Sequence, residues 1–188
     1  MERIKQHGYK EEMMNNTKTA TRIGAHALAL SAILALSVAV PFFFHLAGLS
    51  GHVFLPIFSV LVIGSFYASP SVLTGAALLV PLLNTLITGM PALEPVPMMP
   101  LLTVEMVFTA LAAGALRKRS TLLRLALPLT LGRVMSLPFV LIASGLSPSW
   151  WAGHFTAGIP GMFLNMAAAG ALLFFFPPSG KGRERADR

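Results

Sequence analysis

From Ile23 to Phe44 the chain carries no Lys, Arg, Asp or Glu, and five further apolar runs follow with punctuation between them. A helix needs about 20 apolar residues to cross the roughly 30 Å of bilayer hydrocarbon. The first run has that length, whereas a signal peptide has an apolar core of only about 7–15 residues. It reads as a retained transmembrane helix. The breaks fall at Gly48 and Gly51, at Ser69-Pro70, over 89–100, at Arg117-Lys118-Arg119 and over 145–153. They predict helices at 23–44, 53–67, 70–88, 101–116, 121–145 and 155–176. The expected fold is therefore an all-α integral membrane protein, a six-helix transmembrane bundle. A polar N-terminal tail (1–22) precedes the membrane domain (23–176), and a basic tail (177–188) follows it. The second and fourth helices are short, ~22 Å at 1.5 Å per residue, which implies bilayer thinning, tilt or burial inside the bundle.

Composition agrees. Hydrophobic residues make up 55% and charged residues 11%, against about 25% charged in soluble chains. A soluble enzyme, a disordered tail and a coiled coil are excluded. With no cysteine, so are disulfides, thiolate catalysis and cysteine-based metal sites.

The net charge of +7 suggests nucleic acid in a soluble protein, but here its distribution points to membrane orientation. Five basic residues lie in 1–22, three at 117–119 and four in the C-terminal tail, whereas loops 45–52, 89–100 and 146–154 hold no Lys or Arg. The positive-inside rule puts both termini in the cytoplasm of a cell whose plasma membrane the chain spans. The lipid bilayer is an expected partner; nucleic acid is not.

Polar groups at membrane depth are few. Arg124 can snorkel to the interface. Arg133, bracketed by Pro128 and Pro138, is near mid-span, where an arginine costs several kcal/mol unless it faces protein or water. Glu105 is one turn from the outer end of the fourth helix. Helix rise leaves roughly 10 Å between the two along the membrane normal, so a ligand or water bridge competes with a direct ion pair. Asn84 and Asn165 are buried amides, each able to face a ligand or a neighbouring helix. His45 and His52 flank the first outer loop. Four prolines in 89–100 make that stretch a stiff, non-helical cap whose Met and Leu side chains close a cavity. On the first helix Ala27, Ser31, Ala35 and Ala39 recur every four residues, a small-residue ladder suited to close approach by another helix.

These residues carry a likeness. Phe44-His45-Leu46-Ala47-Gly48, Val53-Phe54-Leu55-Pro56, Pro81-Leu82-Leu83-Asn84 and Thr88-Gly89-Met90-Pro91 resemble the substrate-binding S component of energy-coupling factor (ECF) vitamin transporters. Leu86, Met99, Glu105, Gly132-Arg133 and Gly158-Ile159-Pro160-Gly161 fit the same pattern, over residues 23–176. The resemblance implies six helices and a vitamin-sized pocket at the outer face, with His45, His52, Asn84, Glu105, Arg133 and Asn165 as substrate-binding candidates. It also implies a membrane T component, two cytoplasmic ATPases, and Ala27, Ser31, Ala35 and Ala39 as the T-component contact. Many relatives read Pro-Met-His-x-Pro where this chain has Pro56-Ile57-Phe58-Ser59-Val60, so no particular vitamin is named.

Two other classes fit the sequence less well. An intramembrane enzyme lacks a Gly-x-Ser-x-Gly motif, an Asp or His cluster and a Walker A loop; no cofactor, metal or catalytic residue is expected. A membrane assembly or scaffold protein accounts for the ladder but not for a mid-membrane arginine. The charge asymmetry makes a direct prediction. Cysteines placed at Ser50 and Ala92 should react with an impermeant maleimide in intact cells. Reaction only after permeabilisation reverses the orientation.

Overall fold

In a computed structural model, the described residues are 2–49, 51–90, 96–142 and 144–178, with side chains described for all of these except 2–12 and His52. Among them the chain is helical, without strands. The helices are α1 (Glu2–Leu46), α2 (Gly51–Phe54), α3 (Pro56–Gly64), α4 (Pro70–Thr88), α5 (Met98–Ala115), α6 (Thr121–Met135), α7 (Leu137–Ile142), α8 (Pro148–Ala157) and α9 (Ile159–Phe175). Among the described residues, five stretches are long and apolar enough to cross a membrane: Met13–Leu46, Pro70–Thr88, Met98–Ala115, Thr121–Ile142 and Pro148–Phe175. Their outer surfaces carry exposed Leu28, Leu78, Leu111, Leu122, Phe163 and Phe174. Large apolar side chains in these numbers on every outer helix suit lipid and not water. The chain is an all-helical, multi-pass membrane protein.

Several expected boundaries change, each for a local reason. The polar 1–22 stretch is helical, since α1 begins at Glu2 and continues into the first apolar run. The expected 53–67 helix is broken at Leu55, which takes a left-handed φ of 53° ahead of Pro56. That conformation costs a non-glycine residue on the order of 1–3 kcal/mol and has to be held by its surroundings. The expected 121–145 helix divides at Ser136, two residues before Pro138, which cannot donate to Val134. The 146–154 loop is mostly helix instead. Ser147 caps α8 by accepting from Trp150 N at 3.1 Å, with Pro148 in the first turn, the same device as Ser69 and Pro70 at the start of α4. Met98-Met99-Pro100, taken as extended cap, open α5; proline is tolerated in a first turn. Of that cap, 91–95 lie outside the described residues, as do 179–188 of the C-terminal tail.

The short second run is the middle of the bundle. Phe58, Leu61 and Val62 of α3 are each 1% exposed, and α3 packs against α1, α4, α5, α6 and α9. Burial, not bilayer thinning, is why nine residues apolar on every side suffice there. α3 leads from the Leu55 end to the end bearing Arg117-Lys118-Arg119, where Arg124 Nη2 donates to Ser65 O at 3.0 Å and its guanidinium carbon lies 3.8 Å from the Phe66 ring centroid. Contacts of α5 with α4 and α6 complete the bundle.

Two glycines let helices meet backbone to backbone. A Cβ at Gly161 would lie 2.3 Å from Val53 O and 2.6 Å from Phe54 C. At Gly132 it would lie 2.6 Å from Glu105 O and 2.0 Å from Thr109 Oγ1. Gly170 has nothing within 4 Å of that position. Gly161→Ala should therefore destabilise the detergent-solubilised protein by about 1–3 kcal/mol, as overpacking does. Gly170→Ala should be neutral or slightly stabilising, because alanine is the better helix former. Unfolding midpoints of the two variants check this, and equal midpoints refute it.

Candidate functional site

A cavity of about 1460 Å³ opens at the end of the bundle opposite the Arg117-Lys118-Arg119 turn. The C-terminal half of α1, the α2–α3 junction, the end of α4 and the start of α5 wall it, with His154 from α8. Most of the lining is apolar, including Val38, Phe42, Leu55, Ile57, Leu83, Ile87 and Met98. His45, Asn84, Thr88, Glu105 and His154 supply the polar groups.

Asn84 is held by a proline in another helix. Pro41 has no N–H to give to Ser37 O, four residues back in α1. Asn84 Nδ2 donates there instead at 3.0 Å, and its second hydrogen goes to Val80 O at 3.0 Å. Both partners are carbonyls, which only accept, so the orientation of the amide is fixed. Thr88 donates its hydroxyl hydrogen to Asn84 O at 2.7 Å.

Among the described residues, Glu105 and Arg133, each 1% exposed, are the two buried charges of this end. Their separation is not the roughly 10 Å estimated from helix rise: Arg133 Nε lies 3.7 Å from Glu105 Oε1. Gly132 allows this by bringing α6 onto Glu105 O and Thr109. Gly158 allows it by leaving room for the guanidinium, since a Cβ there would fall 1.5 Å from Arg133 Nη1. Arg133 Nη2 gives both hydrogens to His154, at 2.9 Å to Nε2 and 3.2 Å to the carbonyl. A guanidinium only donates, so Nε2 is the acceptor in the first of these contacts. His154 Nε2 also lies 3.4 Å from Glu105 Oε1. Trp150 stacks on the His154 ring at 5.2 Å, and Trp151 Nε1 donates to Arg133 O and Ser136 Oγ, both at 3.3 Å.

The carboxylate is poorly served. Ser136 Oγ has one hydrogen for two acceptors, Arg133 O at 2.7 Å and Glu105 Oε1 at 3.2 Å. Glu105 Oε2 has no hydrogen-bond partner among the described residues. Leaving such an acceptor buried costs about 1–3 kcal/mol, more when it is charged.

Of the sequence-derived candidates, His45, Asn84 and Glu105 come together on the cavity wall. Arg133 is not part of the wall; it lies behind Glu105. Asn165 also lies elsewhere, donating to Leu55 O at 3.1 Å and accepting from Ser59 Oγ. It staples α9 to the broken second run. The His52 side chain lies outside the described residues. The ladder does not keep to one face: Ala27, Ser31 and Ala35 are exposed, yet Ala35 and Ala39 also line the cavity. A four-residue spacing overruns a 3.6-residue turn by about 40° per step, which carries the ladder from the outer surface at Ala27 round to the cavity. Sequence reasoning missed His154, Ser136 and Trp151. The Trp150–His154 spacing of four was visible in a segment read as loop.

No protein-family model, curated protein or solved structure matches the chain. The site is therefore read from its own chemistry. Breaking a buried ion pair from one side costs about 3–5 kcal/mol, whereas replacing both partners is often nearly neutral. Glu105→Gln should destabilise by that amount, and adding Arg133→Met should restore most of it. Chemical unfolding of single and double variants gives the coupling; additive effects would show that the two groups act independently.

Proposed function

We propose that this protein is the substrate-specific subunit of a membrane importer, binding a vitamin-sized molecule in the cavity beside Asn84 and Glu105. The observation that carries this reading is an apolar cavity holding a buried carboxylate with an unused acceptor, Glu105 Oε2. A ligand site needs that combination: apolar area for affinity and a few placed polar groups for orientation. With the basic ends cytoplasmic, the cavity opens outward and the short α2–α3 pair completes a six-crossing topology.

The likeness of residues 23–176 to ECF S components extends the reading to partners: a T component in the membrane and two cytoplasmic ATPases that energise release. Exposed Ala27 and Ser31 form the part of the α1 ladder suited to a partner helix.

Two substitutions separate the roles. Ala39→Trp fills the cavity and should strip the small molecule that mass spectrometry detects in wild-type protein at near one per chain, while association with an ECF core persists. Ser31→Leu should weaken that association and leave the small molecule bound. Wild-type protein that releases no small molecule refutes ligand binding. Failure to associate with any ECF core refutes the importer assignment alone.

A further inference from the structure

We propose that the cavity selects its ligand through a hydrogen-bond-donating nitrogen, an amine, an ammonium or the N–H of a heterocycle, received by Glu105 Oε2 and Asn84 Oδ1. This rests on the cavity being the ligand site and names what that site takes. A mid-membrane arginine invites the opposite reading, capture of a carboxylate. The contacts argue against it. Arg133 does not line the cavity, and Nη2, its one nitrogen with hydrogen-bond partners, spends both hydrogens on His154.

His45 and His154 carry imidazoles that both give and accept, and the other polar groups of the wall mainly accept. Both amide hydrogens of Asn84 are used by Ser37 O and Val80 O, which leaves Oδ1. The Thr88 hydroxyl hydrogen is used by Asn84 O. Glu105 holds at most a share of one serine hydrogen on Oε1 and none on Oε2. Arg133 Nε and Nη1 also have no hydrogen-bond partner among the described residues, but they lie behind Glu105, so a ligand carboxylate entering from the cavity meets the Glu105 carboxylate first, in surroundings that screen charge poorly. An N–H group, charged or neutral, satisfies Glu105 Oε2. Arg133 then acts from behind, as a counter-charge that keeps Glu105 in place.

The test uses two probes with the same apolar body and no ring N–H, naphthylethylamine and naphthylpropionate, titrated calorimetrically into the full chain in neutral detergent. The amine should bind about tenfold or more tightly than the acid, the worth of one hydrogen bond to a charged group. Glu105→Gln should abolish that preference. If Glu105→Gln is not monodisperse, Glu105→Gln with Arg133→Met, which removes both charges, takes its place. Equal or tighter binding of the acid overturns the nitrogen-donor assignment and leaves the cavity a ligand site. A preference for the amine that survives loss of the carboxylate reflects detergent partition and overturns the role of Glu105. If neither probe binds while Ala39→Trp still strips the co-purified molecule, the donor class is wrong and the proposed function stands. If neither probe binds and Ala39→Trp strips nothing, both fall.

Discussion

Two opposite charges buried in an apolar bundle set the terms for everything around them. Glu105 and Arg133 are each 1% exposed, and desolvating an ion costs several kcal/mol even after relaxation. The chain meets this with backbone arrangement more than with extra polar residues. Gly132 brings α6 against the Glu105 carbonyl, and Gly158 vacates the volume that the guanidinium fills. α8 then folds over the pair, presenting the ring and carbonyl of His154 to one guanidinium nitrogen and the Trp151 indole to the Arg133 carbonyl. The α6–α7 break supplies Ser136, the one hydroxyl that reaches toward both Glu105 and Arg133 O. Glycines on two helices, a hydroxyl at a kink and a helix read as loop thus serve one ion pair.

The same logic runs through the uncharged part of the wall. At two helix irregularities a side-chain amide from elsewhere in the chain meets a carbonyl. Pro41 leaves Ser37 O for Asn84, and at the left-handed turn Leu55 O accepts from Asn165 as well as from Phe58 N. Inside a membrane this matching is obligatory, since no water is present to take an unpaired backbone group. It also shapes the cavity: the Leu55 break stops α2 and α3 from filling the space between α1, α4 and α5 as one straight helix would. Leu55, Pro56 and Ile57 line that space.

Much of this was legible in the sequence because it follows from one-dimensional patterns. Apolar run length marked the spans, Ser69-Pro70 marked a helix start, and scarcity of polar residues singled out Asn84, Glu105 and Arg133. What was not legible depends on how helices sit against each other. The Glu105–Arg133 distance came from rise along parallel axes, but glycine contacts bring these helices together and a long arginine stem spans the remaining height. The sequence leaves Asn165 able to face a ligand or a neighbouring helix, because its partner is the break at Leu55, which only a backbone φ reveals. The alanine ladder was read as a straight line, and the 3.6-residue turn makes it a spiral. Trp150, Trp151 and His154 lay between Pro148 and Gly158, residues that suggest a loop, yet a proline at the first turn and a glycine at the end are also how a helix begins and stops.

Placing arginine behind glutamate, away from the cavity, has an electrostatic consequence. In a wall of Leu, Ile, Phe and Met side chains the effective dielectric is low, so a nearby charge acts more strongly on a ligand than it does in water. With Arg133 3.7 Å from Glu105, the pair is neutral overall yet dipolar, its negative end on the wall and its positive end in the protein. An apolar molecule gains from the lining whatever its polar group. The dipole then decides among such molecules by the sign of the group they present, so affinity and selectivity rest on separate sets of residues.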